Sequence, residues 1–328
     1  MTQPKAIGII GVGFIGEIHV QAFRKLNEVV IKAVSDVNEA RLGQIGSQYG
    51  IPTVYRDYRE MLQQEKLDGI VIATPEQLHR KPVEAVAAAG LPLLLEKPIA
   101  TTVEDAEAII NMVEKAGVSA MMAFCLRWWE PYVVLKERFD SGVLGTPHTA
   151  YARRSLNISE ARRFQGRCSV NQYIGCHDLD FLLWIMGTDV ESVFAARSHA
   201  RAYQETGEAD AYWNLIQWKN GAMASVLIDW TMPDAFPIVE DECLIIGTKG
   251  QGDKDRSNQV RFITDESVEV VNPRIDVDEM RDQAQGFVDL INGKVEPRAT
   301  LVDGLRAQRL IWTADESIRT DQVVRVNL

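Results

Sequence analysis

The sequence predicts an α/β protein in two parts: an N-terminal doubly wound parallel sheet, then a C-terminal α+β domain with a large, mostly antiparallel open sheet. Three observations carry this. Up to about residue 124, short apolar runs alternate with helix-length segments, the spacing of a parallel sheet. A G-x-G-x-x-G pattern, Gly11, Gly13 and Gly16, lies between the first apolar run and the first helical stripe. Beyond residue 140, strand-like runs follow one another with hairpin-type turns at Asn220-Gly221 and Lys249-Gly250, which marks antiparallel pairing.

Residues 5–10 read as a buried strand, and Phe14 to Leu26 carries apolar residues at Ile15, Ile18, Ala22, Phe23 and Leu26, a helical stripe. In the turn between them Gly11 allows a tight bend, Gly13 lets backbone approach a pyrophosphate, and Gly16 lets helix and strand pack closely. A second strand, Val29–Ser35, ends at Asp36, twenty positions after Gly16. A carboxylate there can accept hydrogen bonds from an adenosine ribose; capping the helix Asn38–Tyr49 is a compatible alternative. It would also repel a 2′-phosphate, so NAD is expected over NADP, with nearby Arg41 as a possible offset.

Strands at Leu67–Ala73, Leu91–Leu95 and Val118–Phe124 then alternate with helices at Glu76–Ala89 and Val103–Ala116. Ligands bind such sheets beyond the carboxyl ends of the strands, so Thr74-Pro75 and Glu96-Lys97-Pro98 join the glycine loop on one rim. Desolvation and a neighbouring positive nicotinamide would both lower the pKa of Lys97, which makes it a candidate acid/base. A surface ion pair is the alternative.

In the second half a helix spans Arg127–Asp140, with Pro131 in its first turn. Strands are predicted at His148–Ser155, Val190–His199, Ala211–Trp218, Ala222–Trp230, Glu242–Ile246, Gln259–Thr264 and Val268–Val271. The stretch "AYWNLIQW" puts apolar residues on an exposed face, so a homodimer or homotetramer through this sheet is expected. Helices at Asp276–Ile291 and Leu301–Ile318 close the chain. Residues 171–187 form a helix that sets His177 and Asp180 on one face, where the acid can fix the ring and tune its proton affinity; a packed core histidine is the alternative. Five arginines, Arg153, Arg154, Arg162, Arg163 and Arg167, face only Glu160 between residues 153 and 167. One or two of them are assigned to an anionic group on the substrate, the others to surface ion pairs.

Composition narrows the function classes. The 328 residues suit about two domains. Thirty-five basic against 46 acidic residues give −11, which argues against a nucleic-acid partner. No apolar run has membrane-spanning length, and the stretch before the first strand is too short for a signal-peptide core, so no membrane partner and a cytoplasmic location are expected. The cysteines at 125, 168, 176 and 243 lack metal-ligand spacing, so reduced structural thiols and no metal site are expected.

Gly11-Val12-Gly13-Phe14-Ile15-Gly16, Asp36, Thr74-Pro75 with His79, Glu96-Lys97-Pro98, Arg127, and Gly175-Cys176-His177-Asp178-Leu179-Asp180 followed by Trp184 resemble the glucose–fructose oxidoreductase, inositol dehydrogenase and rhizopine-catabolism (Gfo/Idh/MocA) family. Asp303–Arg319 is similar to that family's last helix, so the resemblance spans essentially the whole chain. It implies a Rossmann domain over residues 1–123 and a substrate-binding and oligomerisation domain over 124–328. It also implies hydride transfer between a nicotinamide and a hydroxyl of a sugar, sugar acid or cyclitol. In that scheme Lys97 binds the reacting hydroxyl and His177 is the general acid/base. Cofactor contacts are implied for Gly11, Gly13, Phe14, Ile15, Gly16 and Asp36, and for Thr74, Pro75, His79, Glu96 and Lys97 on the rim. Substrate contacts are implied for Lys97, Arg127, Tyr173 and His177, with Arg153 and Arg163 at the anionic end.

One position departs from the pattern. Four residues before the histidine, polyol dehydrogenases of the family commonly carry aspartate, and this chain has Tyr173. A phenol donates a hydrogen bond well but, with a pKa of about 10, is a poor base near neutrality. The departure keeps two other functions in view, NAD-assisted glycoside cleavage and a sensor that binds NAD(H) or sugar without turnover.

Overall fold

A computed structural model of the chain describes residues 3–235, 239–272, 274 and 278–326. One unit comprises Met1–Trp128 with Asp278–Leu305, the other Trp129–Val277 with Arg306–Leu328.

The first unit holds six parallel strands, β1 (Lys5–Ile10), β2 (Val29–Ser35), β3 (Thr53–Tyr55), β4 (Gly69–Ile72), β5 (Leu93–Leu95) and β6 (Ala120–Met122). Their order is β3-β2-β1-β4-β5-β6, so the winding reverses between β1 and β4. Helices α1 (Phe14–Arg24), α2 (Glu39–Tyr49), α3 (Tyr58–Gln64), α4 (Arg80–Ala88) and α5 (Val103–Ala116) connect them. Burial on both faces makes β4 and β5 continuous apolar runs rather than alternating ones. Helix α5 shows why the boundaries were readable: the Thr102 side chain accepts the Asp105 N–H at its start, and Gly117, with φ +64°, stops it.

In the first unit β3 and α3 lie outside the predicted set; β3, with three residues, is too short to display a period. The predicted helix Glu76–Ala89 is interrupted. A 3₁₀ turn at Glu76–Leu78 precedes α4, and Pro82 stands in the first turn of that helix.

The second unit contains α6 (Glu130–Asp140), β7 (Pro147–Asn157), α7 (Ile158–Phe164), α8 (Cys176–Met186), β8 (Val190–Ser198), α9 (Arg201–Thr206), β9 (Ala211–Trp218), β10 (Met223–Met232), β11 (Val239–Gly247), β12 (Gly250–Lys254), β13 (Val260–Thr264) and β14 (Val268–Val271). The chain continues through α10 (Glu279–Ile291), α11 (Leu301–Thr320) and β15 (Val324–Arg325). Nine strands run in the order β14-β13-β12-β11-β7-β10-β9-β8-β15, antiparallel except for the β10–β7 pair. Strand β12, sequence GQGDK, has no apolar alternation to reveal it. Glycine replaces an inward side chain there, because a Cβ on Gly252 would meet Leu135 at 2.9 Å and Phe262 at 3.1 Å.

The helix predicted over 171–187 is a π turn, Asn171–Gly175, running into α8. The predicted start of α10 at Asp276 lies outside the described residues; Asp278 caps the helix, accepting the Arg281 N–H at 3.0 Å. Helix α10 belongs to the first unit, although the sequence reading assigned everything after residue 123 to the second domain. Its Phe287 packs edge-to-face on Phe23 of α1 at 6.3 Å, in a core shared with Ile7, Ile9 and Val34.

Candidate active site

Parallel strands put the carboxyl ends of β1, β2, β4 and β5 on one rim of the first unit. Gly11 follows β1 with φ +88°, and a Cβ there would meet the Ala73 carbonyl oxygen at 2.6 Å. Gly16 is equally constrained, since its Cβ would lie 2.0 Å from the Gly11 carbonyl oxygen. A Cβ on Gly13 would meet nothing within 4 Å, so the loop is open on that side. No side chain caps the N-terminus of α1, and Phe14 and Ile15 form its first turn with Phe14 exposed. Uncapped N–H groups beside an open glycine are the donor set that a pyrophosphate requires.

Asp36 follows β2. Its Oδ2 accepts the Val12 N–H at 2.8 Å and its Oδ1 the Asn38 N–H at 2.9 Å. Asn38, not Asp36, caps α2 by accepting the Arg41 N–H at 3.1 Å. The capping alternative for Asp36 is thereby corrected: the chain turns for two more residues before it becomes helical. After β4, the Thr74 hydroxyl is buried without a hydrogen-bond partner, an orphaned polar atom on the rim. Glycine loop, Asp36 and Thr74 together fit a dinucleotide.

His79 ties two rim segments. Its ring nitrogens lie 3.0 Å from the Thr74 carbonyl oxygen and 3.2 Å from that of Ile99. Burial holds its pKa below the usual histidine value, so a neutral ring donates to one carbonyl at a time. Glu96, buried after β5, is bonded to His19 of α1 at 2.7 Å, and its other oxygen accepts the Lys97 N–H at 3.1 Å. Pro98 follows a cis Lys97–Pro98 peptide bond, and Lys97 is half-buried.

Arg127 is buried in this unit. It donates to the Arg298 carbonyl at 2.6 Å, while Arg298 returns a hydrogen bond to the Arg127 carbonyl at 2.9 Å and stacks over Trp128.

In the second unit Asn171 and Asn214 exchange side-chain hydrogen bonds at 3.0 and 3.3 Å, pinning the π turn to β9. Tyr173 lies within this π turn and His177 follows it at the start of α8. His177 and Asp180 are both buried. The Arg163 guanidinium donates to the Tyr173 hydroxyl at 3.1 Å and to Glu160.

The remaining arginines separate by burial. Arg153 lies 3.7 Å from Asp229 with its Nε buried and unbonded. Arg162 is gripped at the surface by Glu205 and Asp234. Arg154 is buried, bidentate to Asp178 at 2.7 and 3.1 Å and 2.8 Å from Asp241, which also pairs with buried Lys254. Burial raises the Asp178 carboxyl despite Arg154, whereas at Asp241 burial is outweighed by Arg154 and Lys254 and the carboxyl is lowered. The His19–Glu96 pair and this buried quartet are absent from the sequence reading; their members are too far apart in the chain to share a local pattern.

Among the described residues, no helix is long and apolar enough to cross a membrane and no group of three or more His, Cys, Asp or Glu could hold a metal ion.

Known proteins are similar to this chain in sequence and fold. A family model described as "Oxidoreductase family, NAD-binding Rossmann fold" matches residues 5–124, and one described as "GFO/IDH/MocA C-terminal domain" matches residues 132–252. An uncharacterized oxidoreductase, YrbE, of Bacillus subtilis is 28% identical over 97% of this chain and 95% of its own. A myo-inositol 2-dehydrogenase of Thermotoga maritima is 25% identical over 98% of both chains. A crystal structure of an oxidoreductase from Agrobacterium radiobacter, in complex with NAD+, L-tartaric acid and magnesium, superposes with a TM-score of 0.90 at 24% identity, covering 98% of each chain.

Proposed function

Because the chain belongs to the Gfo/Idh/MocA oxidoreductase family, we propose that it is an NAD-dependent dehydrogenase moving a hydride between nicotinamide and a carbinol carbon of a cyclitol, sugar or sugar acid. The observation that carries this reading is the half-buried Lys97 on the same sheet rim as the glycine loop, Asp36 and the orphaned Thr74 hydroxyl. The substrate class is supported by the Thermotoga maritima relative, named for myo-inositol.

NAD, when bound, supplies the hydride acceptor. Gly11, Gly13, Gly16 and the first turn of α1 hold its pyrophosphate, Asp36 its ribose, and Thr74-Pro75 border the nicotinamide. Hydride loss from a carbinol requires that the hydroxyl proton leave too. Lys97 binds that hydroxyl, and His177 takes the proton as general base and returns it in the reverse direction. The His19–Glu96 pair, holding the Lys97 N–H, fixes the backbone from which Lys97 reaches. Tyr173, oriented by Arg163, donates its hydroxyl proton to a second substrate oxygen, taking the place of the aspartate common in polyol dehydrogenases. Arg153 and Arg163 serve an acidic group where the substrate has one. Two further assignments accompany this: a homo-oligomer through the open sheet, and a reducing cytoplasm, which suits four free cysteines.

Lys97→Ala and His177→Ala are expected to lower kcat by roughly 10²–10⁴, the usual scale of acid/base assistance. The assay is NADH formation from NAD with neutral sugars, inositols and sugar acids. Activity of Lys97→Ala within a few-fold of the parent would remove the lysine from the proton route.

A further inference from the structure

Asp36 and Arg41 converge on one residue of the glycine loop, Val12. Asp36 accepts the Val12 N–H at 2.8 Å, and Arg41 Nε donates to the Val12 carbonyl at 2.7 Å. A guanidinium therefore lies beside the carboxylate assigned to the ribose. Arginine in such a position is how dinucleotide folds accommodate the 2′-phosphate of NADP.

Here most of the other donors of Arg41 are committed. Nη1 bonds Gln44 at 2.9 Å, and Nη2 bonds Glu17 and, at 3.3 Å, the Gly13 carbonyl. Glu17 is held in turn by the Tyr49 hydroxyl at 2.7 Å and by Gln48 at 3.3 Å. The Tyr49 hydrogen bond, followed by that from Arg41, keeps its carboxyl below the ordinary range, so Glu17 is ionised at neutral pH.

We propose that Glu17 is a cofactor-specificity residue: by holding Arg41 against the glycine loop it withholds the guanidinium from a 2′-phosphate and makes the ribose end selective for NAD. Two carboxylates, Asp36 and Glu17, bracket one cation, so the local charge is negative. A phosphate bringing nearly two more negative charges meets repulsion and no free fork of donors. Neutralising Glu17 brings the local sum to zero and releases the Nη2 edge, the part of a guanidinium suited to phosphate oxygens. A purely structural Glu17–Arg41 pair, stapling α1 to α2, would affect NADH and NADPH binding alike.

The inference rests on the reading of residues 11–36 as a dinucleotide cradle. NADH and NADPH are titrated separately, by calorimetry, into the parent protein, Glu17→Gln, Glu17→Ala and Glu17→Gln combined with Arg41→Leu. Each Glu17 variant is expected to tighten NADPH relative to NADH by roughly tenfold, about the worth of one charge-assisted contact. Adding Arg41→Leu is expected to abolish the gain. A ratio within twofold of the parent in both Glu17 variants, or a gain that survives Arg41→Leu, would overturn the assignment of Glu17. A parent protein that binds neither dinucleotide would overturn the cradle itself, and the assignment with it.

Discussion

Burial decides the protonation state of several side chains, and Asp315 of α11 shows the sign of the effect. Burial, with some repulsion from Glu208, raises its carboxyl from 3.8 to about 6, against the Gln172 hydrogen bond and Arg197. The folded protein therefore holds this proton more tightly than the unfolded chain does. The contribution of Asp315 to stability is greatest below pH 3.8, falls as pH rises from there to about 6, and is flat above. Asp315→Asn removes this slope and is expected to stabilise the protein at neutral pH by up to about 3 kcal/mol, with no gain in acid. Urea denaturation of both proteins at several pH values checks this; a difference independent of pH would contradict it. At this scale the site was legible wherever its chemistry is local. Gly11, Gly13 and Gly16 announce themselves by spacing, and Asp36 by its distance from them. The link from His19 to Glu96 spans 77 residues and leaves no local trace.

Among elements, the buried charges of the second unit join four pieces of structure: Arg154 on β7, Asp178 on α8, Asp241 on β11 and Lys254 on β12. Because Asp178 adjoins His177, the quartet also fixes the start of the helix that carries the proposed base. Arg154→Met leaves two buried carboxylates facing one lysine, and a loss of about 3–5 kcal/mol is expected, the usual cost of breaking a buried pair from one side. Adding Asp178→Asn should recover part of it. A cost below about 1 kcal/mol in denaturant titration would show that water reaches these groups and screens them. Long periodic elements such as α5 and β9 were readable from their apolar spacing, whereas β12 was not, because its inward position is a glycine under Leu135 and Phe262. The π turn was read as ordinary helix, since what sets it is the Asn171–Asn214 exchange with a strand 43 residues away.

At the largest scale, one face of the nine-stranded sheet carries exposed apolar side chains among the described residues. Along β9, residues 213, 215 and 217 alternate with buried neighbours, and Trp213 and Leu215 are 46% and 42% exposed. Apolar side chains in that position favour a second copy, as "AYWNLIQW" already suggested. Trp213→Asp with Leu215→Asp should lower the mass seen in analytical ultracentrifugation; an unchanged mass would place the interface elsewhere. The central claim, net hydride transfer, is tested most directly by incubating the purified protein with NAD and a panel of inositols, sugars and sugar acids while following both NADH and the organic product. One NADH formed per carbinol oxidised, and neither formed with Lys97→Ala, is the predicted result. Substrate cleaved without net NADH, or NADH bound tightly with no turnover of any panel member, would contradict it.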